Sequence, residues 1–239
     1  MEERRELPKL RRSNPRLAVQ FNSEFSATKA HEMQVRLAKQ VMQEDRLPDA
    51  IRFVAGVDAV YVEETSIGVA AVLDYDSLAL VECQVAHVET QFPYIPTLLS
   101  FREVPPTFSA IEKLETQPDV FLIDAHGIAH PYRLGFASHL GLILDKPTIG
   151  VAKSILCGKV ERKTNEGWVR MLDRGEIIGA AVVTKRGRKP LYVSIGHRVS
   201  LEKAIEVVKH CTNIHRIPEP IFTAHKMASE EKRRYRKSR

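Results

Sequence analysis

A four-residue apolar run, Val120-Phe121-Leu122-Ile123, ends on Asp124 and leads into a turn rich in glycine and histidine. The run has the length and composition of a buried strand. A carboxylate at the C-terminal end of such a strand sits at the rim of a sheet, where α/β folds place their chemistry. Beyond the turn, Leu134, Ala137, Leu140, Gly141 and Leu144 share one side of a helix-like segment. Capping that helix would be the ordinary task for Asp124. The intervening loop and Pro131 make capping awkward, and Asp124 reads as a ligand.

With 239 residues, 44% of them apolar, the chain can bury one sizeable core, and one domain is expected rather than two. Cys83, Cys157 and Cys211 are odd in number and lack CxxC spacing. This excludes a disulfide framework or a zinc site and fits a reducing, cytoplasmic setting. Apolar runs such as Ile67 to Leu73 are too short to span a bilayer, and no apolar secretion signal opens the chain, so no membrane partner is expected. The formal charge of +6 is concentrated at the ends: residues 1–20 hold six Arg/Lys against three Glu, and residues 226–239 hold seven against two. The expected organisation is a basic N-terminal arm (1–22), a single catalytic domain (23–225) and a basic, poorly ordered C-terminal tail (226–239). Cationic tails add salt-sensitive attraction to polyphosphates.

In chain order, Ser26 or Thr28 caps a helix that Ala30, Met33, Leu37 and Val41 carry to about Asp45. Ile51 to Val60, Ser66 to Leu73 and Leu78 to Val88 read as three strands with short connections, an antiparallel meander with Asp58 near the end of its first strand. Pro93-Tyr94-Ile95-Pro96 is a stiff loop that holds its ring at low entropic cost. Short helical pieces are expected on either side of Pro105-Pro106, with Glu103 just before them. Strands follow at 120–123, 146–153, 176–184 and 191–195, and a helix from Ser200 to about His210. A meander followed by helix-linked parallel strands predicts an α/β fold with a ribonuclease H-like mixed sheet flanked by helices. If the first and fourth strands are neighbours, Asp58 and Asp124 come together, with Glu103 on the connecting helix. Clustered carboxylates need a proton or a cation. Oxygen donors with no nearby cysteine point to Mg²⁺, with Mn²⁺ tolerated.

Four blocks carry a resemblance to a known family: VAGVDAVY around Asp58, PYIPTLLSFRE from Pro93 to Glu103, IDAHGIAHPYRLGFASHLG from Ile123, and GVAKSIL around Lys153. In content, order and spacing the chain resembles endonuclease V, the deoxyinosine-specific repair nuclease, over about residues 28 to 225. The resemblance implies that Asp58 and Asp124 hold the metal, that Glu103 completes the acidic cluster, and that Lys153 stabilises charge on the scissile phosphate. It implies Tyr94 as a wedge in the duplex and His130 near the lesion pocket or the phosphate, leaving His126 and His139 structural. Main-chain groups of the Ala125 to Gly127 turn would read the edge of a flipped base. The implied reaction is metal-dependent, in-line hydrolysis of the second phosphodiester bond 3′ to the lesion, with DNA bearing deoxyinosine or other deaminated bases as partner and no obligatory protein partner. Inosine-containing RNA and a non-catalytic nucleic-acid-binding module are the alternatives. Four positions depart from the family pattern: Ala125 where glycine is usual, His225 where many members carry an acid, and Ile221-Phe222 in place of Thr-Arg.

Overall fold

The computed structural model describes residues 26–161 and 168–238; the expected N-terminal arm lies outside them. The strands are β1 (Phe53–Val62), β2 (Thr65–Asp74), β3 (Leu80–Glu89), β4 (Val120–Ile123), β5 (Thr148–Ala152), β6 (Lys159–Val160), β7 (Trp168–Asp173), β8 (Glu176–Val182) and β9 (Leu191–His197). They form one sheet in the order β3-β2-β1-β4-β5-β9-β8-β7-β6. β1, β2 and β3 pair antiparallel, as the expected meander, while β4 joins β1 and β5 in parallel. This is the ribonuclease H-like mixed sheet anticipated from the element order.

The helices are α1 (Ala27–Ala38), α2 (Leu99–Ile111), α3 (Phe136–Leu144), α4 (Leu201–His210) and α5 (Glu219–Lys237). Strand alternation divides the core into two layers. Val54, Val120, Leu122 and Ile149 pack with Ile205, Val208, Ile221 and Ala224, so α4 and α5 cover one face. Ala55, Val57, Phe121 and Ile123 pack with Val104, Ala110, Ala137 and Leu140, so α2 and α3 cover the other. β4 is thus buried on both faces, which is why its sequence is an unbroken apolar run. Two glycines set the helix-to-sheet spacing. A Cβ on Gly56 would fall 2.0 Å from the Pro220 carbonyl oxygen on α5, and one on Gly68 would fall 1.9 Å from that of Pro106 on α2.

Several sequence expectations are corrected. α1 is capped by Ser26, whose side chain accepts from the Lys29 amide, but it stops at Ala38 rather than near Asp45. Beyond it, Met42 and Arg46 exchange backbone hydrogen bonds with Arg198, and Val41 and Leu47 enter the core. Tertiary pairing replaces further helix there. The two helical pieces around Pro105-Pro106 are one helix, α2. Proline removes a helix hydrogen bond. Here the Thr107 hydroxyl donates to the Glu103 carbonyl at 2.7 Å, and Val104, Pro106 and Thr107 are buried against the sheet. The β7–β8 hairpin was missed at β7; its turn, Arg174-Gly175, places both residues at positive φ. Residues 226 to 237 are not a loose tail but the continuation of α5, with Ala228 and Glu231 buried.

Candidate active site

Val57 of β1 pairs with Ile123 of β4, so Asp58 and Asp124, the next residues, stand together where β4 ends. β1 continues past this point to Val62, so Asp58 lies within its strand rather than at its tip. One Asp58 oxygen accepts from the Ala59 amide at 2.9 Å; the other is 2.9 Å from Nδ1 of His225 on α5. Burial raises the Asp58 carboxyl, contact with His225 lowers it, and the charge of Asp124 raises it again. Glu103 reaches the same region from α2. Loss of water and then the charges of Asp58 and Asp124 push it up to about 8, against the pull of Arg102. Three carboxyl groups therefore lie within one another's field.

Lys153 follows β5, the neighbour of β4, and its Nζ donates to Asp124. The two aspartates are each held by a cationic or protonatable partner, and in this arrangement no three His, Cys, Asp or Glu side chains among the described residues are grouped to hold a metal ion. The donor chemistry nevertheless fits a hard dication. Asp58, Glu103 and Asp124 offer only carboxylate oxygens, and beyond the effect of burial the charges of the two aspartates oppose ionisation of Glu103, a repulsion that a hard dication would relieve.

A cleft of about 400 Å³ opens beside this cluster, lined among others by Tyr94, Asp124, Ala125, His126, His130 and Lys153. Tyr94 stands on its rim, 68% exposed, on a loop whose ends are fixed. The fully buried Gln34 donates from Nε2 to the Thr97 carbonyl at 2.8 Å and to the Leu134 carbonyl at 3.2 Å. Thr97 takes a positive φ, and Ile95 packs on Phe92, Leu98 and Phe101. The bracketing prolines and this clamp present the ring to solvent with little backbone freedom.

His130 is buried at the cleft, and its Nδ1 accepts from the Tyr132 amide at 3.3 Å. Burial, then the neighbouring His126, pushes it down to about 4, so it is a neutral ring at pH 7. It can donate or accept a hydrogen bond but does not supply a positive charge. His126 was expected to be structural and instead lines the cleft. His139 is buried behind it, 3.1 Å from Ser100 Oγ. Gly127 does not line the cleft. Its amide donates to Ser194 Oγ at 2.8 Å, its carbonyl accepts from Gly135 at 2.9 Å, and a Cβ would fall 1.9 Å from the Ile195 carbonyl oxygen. Its main chain is committed to the scaffold, and the residue of that turn that reaches the cleft without a large side chain is Ala125. The site residue left out of the sequence-based set is His225. Its signal was its departure from the family pattern at that position, not its spacing from any acid.

The family model for endonuclease V matches residues 35–226, a span that contains Asp58, Tyr94, Glu103, Asp124, His130, Lys153 and His225. The chain belongs to the endonuclease V family. It is 48% identical over 201 residues to endonuclease V of Trichormus variabilis, covering 82% of this chain and 91% of that one. To endonuclease V of Thermofilum pendens it is 44% identical over 206 residues, covering 86% and 88%. Among solved structures, endonuclease V of Streptomyces avermitilis superposes with a TM-score of 0.83 at 34% identity, covering 89% of this chain and 95% of that one. The Ciona intestinalis endonuclease V, in complex with a 24mer DNA containing an inosine followed by a ribo-adenosine, gives 0.80 at 30% identity, covering 87% and 98%. The fold is thus that of a family of nucleases.

Proposed function

We propose that this chain is a divalent-metal-dependent endonuclease that recognises deaminated bases, chiefly deoxyinosine in DNA, and hydrolyses the second phosphodiester bond 3′ to the lesion. The observation that carries the reading is the convergence of Asp58, Asp124 and Glu103 with Lys153 beside a cleft rimmed by a clamped, exposed tyrosine. The Ciona relative's complex with inosine-containing DNA supports the substrate class.

Asp58 and Asp124 are the residues to hold the cation, with Glu103 closing the acidic cluster directly or through water. A bound Mg²⁺ or Mn²⁺ would supply an acidified water and charge stabilisation on the phosphate. Lys153, which lies beside Asp124, would offer its ammonium to a non-bridging phosphate oxygen. His225 on α5 meets the second oxygen of Asp58 and would orient it. Tyr94 would fill the gap left when the lesion leaves the stack, and a weak inosine pair lowers the cost of that step. Ala125, His126 and the neutral His130 line the space that would receive the base. Inosine in RNA remains a second reading because the Ciona substrate carries a ribonucleotide next to its inosine.

The test is cleavage of end-labelled duplexes containing one deoxyinosine, beside inosine RNA, each with Mg²⁺ and with chelator, and with Asp58→Ala as control. A metal-dependent nick at the second bond 3′ to deoxyinosine, lost in the variant, is the expected result. Cutting of RNA alone would transfer the same chemistry to inosine RNA. Tight binding with no cutting in any arm would overturn the enzymatic reading.

A further inference from the structure

α5 runs along β1 past the acidic cluster. Pro220 lies against Gly56, His225 against Asp58, Glu231 against His87 of β3, and Tyr235 against Thr65 at the start of β2. The helix therefore follows the β1–β2 hairpin outward beyond the point where β4 stops. Its buried side carries Ile221, Ala224, Ala228 and Glu231. At about 100° per residue, Lys226, Lys232, Arg233, Arg236 and Lys237 fall within about 140° of one another, on the side that also carries His225. Lys226, Arg233, Arg236 and Lys237 are exposed, and Lys232 partly so. Glu230 sits at the edge of this stripe. Arg234 lies off it and is neutralised by Glu231 at 2.6 Å.

We propose that this stripe is a phosphate track, along which the substrate's backbone continues from the scissile bond. The proposal rests on the nuclease reading above and adds where the flanking strand lies. From His225 to Arg236 the helix rises about 16 Å, matching about five nucleotide steps of a duplex strand at ~3.4 Å each. Lysine and arginine on a rigid helix suit backbone contacts, which fix register without reading sequence. The matched family segment ends at residue 226, so every cation of the stripe from Lys232 onward lies beyond it. The helix is anchored beside the acidic cluster, and its cations are sorted onto the side that faces the same way as His225.

The experiment uses the full chain and a fluorescent duplex with one deoxyinosine. Binding is measured in chelator from low to moderate salt, and single-turnover cleavage is measured with Mg²⁺. The variant combines Lys232→Ala, Arg233→Ala, Arg236→Ala and Lys237→Ala. Each lost phosphate contact lowers the slope of log affinity against log salt by about 0.9, so the slope should fall by about 2 to 4. Affinity near 0.15 M salt should drop by about tenfold or more, while the cleavage rate at saturating substrate stays within about twofold. Arg234→Ala, which removes one charge from the other side of the helix, should retain the wild-type slope. So should a charge-conserving variant with Lys232→Arg, Arg233→Lys and Arg236→Lys. Equal slopes for wild type and the quadruple variant, with wild type still cutting, would remove the track and leave the nuclease reading intact. Loss of affinity in the charge-conserving variant would make the effect structural and also overturn the track. A wild type that neither binds nor cuts would overturn both.

Discussion

Lowering the pH should destabilise this fold through a histidine outside the proposed chemistry. His139 on α3 is 2% exposed, its Nδ1 is paired with Ser100 Oγ, and its Nε2 has no hydrogen-bond partner. Burial pushes its pKa from 6.5 to about 4. The unfolded chain therefore binds more protons than the folded one between these values, so stability rises with pH across that window. The contribution is complete above pH 6.5, declines as pH falls, and stops changing below about 4. At 1.36 kcal/mol per unit the full loss is about 3 kcal/mol. Between pH 8 and pH 5 it is about 2 kcal/mol. The assay is equilibrium urea unfolding at both pH values for wild type and His139→Leu. The quantity to compare is each protein's own change with pH, which cancels the leucine's effect on packing and the loss of the Ser100 contact. The wild type should lose about 2 kcal/mol more than the variant. Identical pH dependences would show that His139 takes up its proton without disturbing the fold and would refute the argument.

Three further outcomes follow from the geometry. Gly56→Ala should cost about 2 to 3 kcal/mol, because its Cβ would meet the Pro220 carbonyl at 2.0 Å; thermal unfolding measures this, and an unchanged Tm would mean that α5 shifts freely. Tyr94→Ala should leave stability within about 0.5 kcal/mol, since the ring is 68% exposed, yet raise KM for inosine duplexes several-fold. Lys153→Met should lower the single-turnover rate by about 10² to 10³ with little change in affinity, and an equal loss in binding would move the lysine from charge stabilisation to simple attraction.

Much of the sheet was readable because its elements obey local rules. β2 and β3 are bounded by a turn in which Asp74 caps Ser77, and β4 is apolar on every residue because both its faces are covered. Where reading failed, a distant contact outweighed a local signal. The apolar spacing of α1 continues past its end to Val41, yet that residue packs against the main core, and the backbone there bonds to the β9–α4 connection. Pro105-Pro106 breaks helices in isolation. Here Gly68 lets α2 sit so close to β2 that burial of Val104, Pro106 and Thr107 holds the helix continuous.

The site was legible to the extent that it depends on strand order. Once β1 and β4 are neighbours, Asp58 and Asp124 must meet, and an acid at the end of an apolar run announces that in one dimension. The role of Gly127 was not legible, because a glycine that reads a base and one that lets two backbones touch look alike in sequence. The approach of the Ile195 carbonyl decides for the second. His225 was hidden for a different reason. α5 is strongly charged, and beyond Ile221 its buried side is made of small or polar residues, Ala224, Ala228 and Glu231, so hydropathy alone assigns the helix from there on to solvent. Its docking comes instead from the close contact of Pro220 with Gly56, one residue pair removed from chemistry. That contact fixes the axis of the helix beside β1, and the helical repeat then sets His225 against Asp58. A residue 167 positions away in the chain is thus placed on the Asp58 carboxylate by a glycine two residues from it.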